Sequence, residues 1–205
     1  MLSATQLECV RGDRRLFSGV SFAVDPGGLL HVEGRNGSGK TSLMRLLCGL
    51  SRPERGEIRW RGTLISELGE EYRADVLYLG HSNGVKDELS ALENLLASAR
   101  IGGEPLDEDE ARDALGALGL QGREDLPAKS LSQGQKRRVA LARLKITRKP
   151  LWLLDEPVAS LDRPAAEWFE SMLATHLGRS GVVVLTTHQE ICTPSGSSQR
   201  LRLAD

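Results

Sequence analysis

The stretch Gly34-Arg35-Asn36-Gly37-Ser38-Gly39-Lys40-Thr41 constrains this chain more than any other. It fits the phosphate-loop pattern G-x-x-x-x-G-K-[ST]. Leu29-Leu30-His31-Val32-Glu33 before it reads as a short strand. Thr41 to Cys48 after it reads as a helix, with Leu43, Leu46 and Leu47 at helical spacing. The chemistry needs this order. Glycines let successive backbone N–H groups turn toward one point, and the positive end of a helix faces the same point. Lys40 can then reach the outer phosphates of a nucleotide, and the Thr41 hydroxyl can hold Mg²⁺. The loop residues 34–41 and the adjoining Ser42 are the first candidate nucleotide contacts.

Around this loop the chain reads as one large domain with a lobe. Residues 1–33 look like paired strands, alternating over 6–10 and 20–24 with turns at 11–14 and 25–28. Gly49 ends the helix that follows the loop. Short strands are predicted at 57–62 and 76–81. From Ser82 to about Thr147 the texture is helical, with Ser90 and Glu93 in capping-box register and acids in the first turn of a helix at 107–115. A buried strand is expected at 151–156, a helix at 164–177 and a last core strand at 182–188. The core is thus about 1–81 and 148–205, and the helical lobe about 82–147.

Two further stretches carry chemistry. Leu151-Trp152-Leu153-Leu154 leads into Asp155 and Glu156, two acids at the C-terminal end of a buried strand, where α/β sheets bind ligands. Asp155 can hold Mg²⁺ through water, and Glu156 can polarise an attacking water. Leu131-Ser132-Gln133-Gly134-Gln135 opens a basic helix. Ser132 at its start can cap the helix or, with the free N–H groups, hold an anion, and Gly134 lets a phosphate come close.

Taken in this order, the motifs resemble those of the ABC-type ATPases over essentially the whole chain. Residues 34–41 look like their Walker A loop, 131–135 like their signature (with Gln133 where Gly is commoner) and 151–156 like their Walker B strand. Ser160-Leu161-Asp162 resembles the D-loop and His188 the switch histidine. The resemblance implies an α/β fold, a P-loop NTPase of the ABC nucleotide-binding type, with an antiparallel β subdomain and an inserted α-helical lobe. It implies ATP and Mg²⁺ as cofactors and a head-to-tail dimer with ATP between two copies. Ser132, Gln133, Gly134, Gln135 and Asp162 of one copy would then face the ATP held by the other. Lys40, Glu156 and His188 would be the catalytic residues, and Thr41 and Asp155 the metal residues.

Two positions depart from that pattern. Arg11 stands near the place where the family usually has an aromatic residue for adenine. A guanidinium plane stacks there, or Arg11 is a solvated turn residue. His81 stands where the family's Q-loop glutamine falls, and a neutral imidazole can accept from a metal-bound water or bind the metal itself.

Residues 78–95, together with the short length, the Cys9-x-Arg11 opening and Thr186-Thr187-His188-Gln189, are similar to one branch, the ATP-binding subunits of bacterial cytochrome c maturation systems. That resemblance implies integral membrane partners and a peripheral location on the cytoplasmic face of the inner membrane. It also implies ATP hydrolysis that powers haem export or release of a haem-loaded chaperone. An ATPase of another exporter (drug, lipid or ion) shares every catalytic motif. A soluble ABC ATPase acting on nucleic acid or ribosomes usually carries a coiled-coil insertion or a second cassette, and neither is read in these 205 residues. A module that only binds ATP is opposed by the intact Lys40, Asp155, Glu156 and His188.

Composition narrows the partners. With 27 basic and 28 acidic residues the net charge is -1, so no nucleic-acid partner is expected. No apolar run approaches membrane-spanning length, and no signal peptide is read at the N-terminus. Cys9, Cys48 and Cys192 are isolated and read as reduced thiols. Leu89, Leu92 and Leu95 either line a groove for a membrane subunit's helix or pack the core of their own lobe.

Overall fold

Strands Leu151–Asp155 and Val182–Thr186 are buried at every position, which a strand needs when both faces of its sheet are covered. The computed structural model describes residues 1–188 and 198–203. In chain order its first elements are β1 (Leu2–Arg11), β2 (Arg14–Val24), β3 (Leu29–Glu33), α1 (Lys40–Leu47), β4 (Arg55–Trp60) and β5 (Thr63–Leu64). Then come α2 (Ile65–Leu68), α3 (Glu70–Asp75), β6 (Val76–Leu79), α4 (Ala91–Ile101), α5 (Glu108–Gly116) and α6 (Gln133–Ile146). The chain closes with β7 (Leu151–Asp155), α7 (Arg163–Gly178), β8 (Val182–Thr186) and β9 (Ser198–Arg202).

The chain forms two compact units. The first comprises Met1–Gly80, Lys149–Glu156 and the described part of Ala174–Asp205; the second comprises His81–Arg148 and Pro157–Leu173. The stretch 157–173, which the sequence pattern leaves with the core, clusters with the helical unit.

The first unit holds both sheets. One is four-stranded in the order β2-β1-β4-β5, with every pair antiparallel. The other is five-stranded and parallel, in the order β6-β7-β8-β3-β9. Leu43, Met44, Leu46 and Leu47 of α1 join one buried cluster with Leu2, Leu7 and Phe17 of the antiparallel sheet and Leu30, Val32, Leu153 and Val184 of the parallel one. The end of α1 follows its sequence signal. Gly49 has φ 70, the Leu50 N–H donates to Arg45 O and the Gly49 N–H donates to Leu46 O, each at 3.0 Å. That is a Schellman motif. The Tyr72 hydroxyl donates to Leu47 O at 2.5 Å and satisfies a further end carbonyl.

Burial pushes the Cys9 and Cys48 thiols up, consistent with inert reduced thiols. Cys192 lies outside the described residues.

In the second unit α4, α5 and α6 pack on one another. Each starts with a capping box: Ser90 with Glu93, Asp107 with Glu110, and Ser132 with Gln135. Asn94 is buried in α4, where its amide donates to Lys86 O and Ser90 O at 2.9 Å each and its oxygen accepts from the Lys86 N–H at 2.7 Å. This fixes the segment before the helix. Leu92 and Leu95 are buried in the unit's own core and Leu89 is half-buried, so Leu92 and Leu95 do not line an open groove. Among the described residues, no helix is long and apolar enough to cross a membrane.

The structure departs from the sequence reading at several elements. β1 and β2 are longer than the alternating cores at 6–10 and 20–24. β6 ends at Leu79, so Gly80 and His81 lie beyond the strand. β8 is followed by β9, which pairs with β3 at the sheet edge. Ser198–Arg202 is polar and mostly exposed, so it carries no apolar alternation to mark it as a strand.

His176 of α7 stacks on Trp152 of β7, with ring centroids 3.8 Å apart and planes at 9°. Burial pulls this imidazole from its ordinary 6.5 down to about 4. The unfolded chain takes up the proton first, so stability falls as pH drops from 6.5 toward 4, by about 3 kcal/mol in all. Urea unfolding at pH 7 and pH 4.5 is expected to show this loss, and His176→Gln to flatten it relative to wild type. A Cβ at Gly181 would lie 2.2 Å from His176 Nε2, so Gly181→Ala is expected to cost about 2 kcal/mol in the same assay.

Candidate functional site

All five strands of the second sheet run in one direction, so β3, β7 and β8 end on one edge. The loop 34–39 leaves β3 there, Glu156 follows β7, and Thr187 and His188 follow β8. Topology thus gathers three separated stretches of sequence at the edge where parallel sheets bind ligands.

The loop is held by its own backbone. The Ser38 N–H donates to Arg35 O at 3.1 Å and the Leu43 N–H to Gly39 O at 2.8 Å. Gly39, at φ 98, is the N-cap of α1 and offers no side-chain cap to the first helical N–H groups. A Cβ on Gly39 would lie 3.0 Å from the Phe17 ring, so both the left-handed angle and the close approach require glycine. Lys40 is buried, and its Nζ donates to Gly34 O at 2.7 Å and Arg35 O at 3.2 Å. The Ser38 hydroxyl oxygen is buried with no hydrogen-bond partner among the described residues. Thr41 is exposed and Ser42 half-buried on the first turn. Arg35, Asn36 and Gly37 form the exposed tip.

Asp155, 1% exposed, accepts from the Thr186 hydroxyl at 2.7 Å. Glu156 has φ 51, a left-handed angle that non-glycine residues seldom adopt and that clusters at functional sites. His188 Nε2 stands 3.4 Å from Glu156 Oε1. His31 of β3 faces the same strand end: its Nε2 donates to Thr187 O at 3.1 Å, and its Nδ1 lies 3.7 Å from Glu33. The structure therefore brings Glu156 and His188 together, and it adds His31 and Thr186. Neither has a motif of its own. Each is legible only once β8 is known to lie between β3 and β7.

The donors suit Mg²⁺ with a nucleotide. Among the described residues, no three of His, Cys, Asp and Glu converge as a metal cage. One buried carboxylate and one threonine hydroxyl are what a cation needs when water and phosphate oxygens supply its other ligands. The orphaned Ser38 hydroxyl within a loop of N–H donors fits an anion in the same way.

The second unit carries the other candidates. The Ser132 hydroxyl accepts from the Gln135 N–H at 3.2 Å and Gln135 Oε1 from the Ser132 N–H at 2.9 Å. Gln133 is exposed on the first turn of α6. A Cβ on Gly134 would lie 3.2 Å from Ser160 O, so glycine is also needed there to pack the 160–162 turn. Asp162 accepts from Arg138 at 2.6 Å and, more weakly, from the Ala165 N–H at 3.3 Å at the start of α7. Arg137, which has no part in the sequence reading, is buried and donates to Pro157 O at 3.1 Å and to Asn83 at 3.2 Å. His81 is the exposed first residue of this unit, and Arg11 is exposed at the end of β1 in the other. Gln189 lies outside the described residues.

A phosphate loop, a buried strand leading into Asp155 and Glu156, and a capped α6 have the pattern of an ATP-binding cassette. The sequence model of the ABC transporter family matches residues 17–159, and the chain belongs to that family. Solved structures agree in fold. An ATP-binding subunit of an ABC transporter superposes with TM-score 0.81 at 27% identity, covering 91% of this chain and 79% of that one. A dimeric post-hydrolysis state of the cassette MJ0796 bound to ADP and Pi gives 0.80 at 22% identity, covering 92% and 88%. Within the family, membership narrows to the cytochrome c biogenesis ATP-binding export proteins CcmA. The chain is 56% identical to that of Dechloromonas aromatica, over 99% of this chain and all of the relative. It is 58% identical to that of Nitrosomonas europaea, over 93% and 90%, and 43% identical to that of Vibrio cholerae, over 100% and 99%.

Gly39→Ala is expected to distort the loop at its tightest point. Equilibrium binding of a fluorescent ATP analogue should weaken at least about tenfold, roughly 1.4 kcal/mol, and the melting temperature should fall by several degrees.

Proposed function

We propose that this chain is the ATP-hydrolysing subunit of a membrane complex for cytochrome c biogenesis, powering haem export or the release of a haem-loaded chaperone. The observation that carries the reading is identity of 43–58% to CcmA proteins over nearly the whole chain, joined to an intact Asp155–Glu156–His188 edge beside the phosphate loop.

The chemistry follows from the residues. N–H groups of 34–42 and the Lys40 ammonium bind the phosphates of ATP. Thr41 and Asp155 hold Mg²⁺, which when bound screens the phosphate charge. Glu156 orients the water for in-line attack, and His188, beside it, holds the γ-phosphate end of the site. A second copy packs head to tail, and its Ser132, Gln133, Gly134, Gln135 and Asp162 close the far side of the nucleotide. The Ser132 capping geometry supports this, since its hydroxyl proton remains available to an anion at the helix start. Arg11 is the candidate platform for the base, and His81 a candidate for binding the metal or accepting from a water on it. Membrane subunits supply the path across the bilayer, which places the chain on the cytoplasmic face of the inner membrane. No nucleic acid partner is expected.

Glu156→Gln is expected to lower ATP turnover at least about 100-fold, the scale of lost base catalysis, and to abolish covalent haem staining of periplasmic c-type cytochromes when it is the only copy in the cell. Normal staining at unchanged expression would overturn the cytochrome c reading and move the search to another membrane partner.

A further inference from the structure

Thr186 is the last residue of β8 and is 0% exposed. The strand before it, Val182-Val183-Val184-Leu185, is wholly apolar, and packing alone would be served by another valine. A buried hydroxyl persists where its hydrogen bonds are made. Here they reach both carboxylate residues of the site. The Thr186 O–H donates to Asp155 Oδ1 at 2.7 Å. The Glu156 N–H donates to Thr186 Oγ1 at 3.0 Å and to Thr186 O at 3.0 Å. Asp155 and Thr186 are also direct partners in the β7–β8 register.

One hydroxyl therefore does two things. Its proton fixes the plane of the Asp155 carboxylate. Its lone pair, together with the carbonyl, anchors the Glu156 N–H at the point where the backbone turns to φ 51. That turn directs the Glu156 side chain to within 3.4 Å of His188. Valine at 186 would keep shape and strand propensity and would leave Asp155 and Glu156 without this shared group.

We infer that Thr186 is a positioning residue for the reaction, aligning the metal-holding Asp155 and the water-orienting Glu156 through a single hydroxyl. The inference rests on the ATPase reading above. It distinguishes this position from the neighbouring apolar residues of β8, which serve packing alone.

The test compares wild type, Thr186→Val, Thr186→Ser and Glu156→Gln in the full chain purified with its accompanying membrane subunits. Three quantities are read: kcat and KM for ATP, the half-saturation of Mn²⁺ by electron paramagnetic resonance with a non-hydrolysable ATP analogue, and binding of a fluorescent ATP analogue in EDTA. Thr186→Val is expected to lower kcat about 10- to 100-fold and to raise the Mn²⁺ half-saturation about tenfold, as loss of a partner behind a metal ligand does. Metal-free nucleotide binding should stay within about twofold, and Thr186→Ser should recover kcat and Mn²⁺ binding to within about threefold of wild type. Thr186→Ala serves as a second hydroxyl-free variant should Val not accumulate. Wild-type kcat and Mn²⁺ binding in the hydroxyl-free variants would overturn the inference, as would equal impairment of the Ser and Val variants. Absence of hydrolysis in wild type, equal to Glu156→Gln, would instead overturn the ATPase reading. The Mn²⁺ comparison of Val with Ser would then still decide the role of Thr186.

Discussion

Burying a parallel sheet on both faces leaves its strands no solvent, so every polar group at their ends must be satisfied by a neighbouring strand or by a ligand. β7 and β8 meet that condition in full: no residue of either is exposed. Their C-terminal ends carry Asp155, Thr186 and Thr187, all buried. Asp155 finds the Thr186 hydroxyl, the Glu156 N–H finds Thr186 twice, and the carbonyl of Thr187 finds His31. A carboxylate placed in this way is oriented by the fold itself.

The antiparallel sheet and α1 serve that edge from the other side. Phe17 of β2 packs against Gly39, so the strand that helps bury α1 also fixes the left-handed turn in front of it. The same close approach excludes any larger residue at 39. Loop conformation and core packing are thus one constraint, and the Schellman end and the Tyr72 hydroxyl close the far end of α1.

The second unit uses local hydrogen bonds where the first uses sheet register. Three of its helices begin with reciprocal capping boxes. Arg137 and Arg138 extend from α6 to Pro157 and Asp162, the segment that follows Glu156 in the chain. Helix α6 and the 157–162 turn are consequently held as one body within that unit. Leu92 and Leu95 complete its core, so their helical spacing records packing and not an open docking groove.

Sequence alone determined whatever depends on local chemistry. The phosphate loop, the capped helix starts, the Gly49 stop and the buried strand leading into Asp155 were legible because glycine, capping residues and apolar runs act over a few residues. Polar β9 and the short α2 and α3 were not, since they take their conformation from the neighbours they cover. The roles of Thr186 and His31 lay equally out of reach. A threonine in a valine-rich strand reads as β-propensity, and His31 reads only as one residue of the short strand before the loop. Only the strand order 7-8-3 places β8 between the strands that carry Asp155 and the phosphate loop. Tertiary structure decided those partnerships because hydrogen bonds across parallel strands join residues 31 and 156 positions apart in the chain.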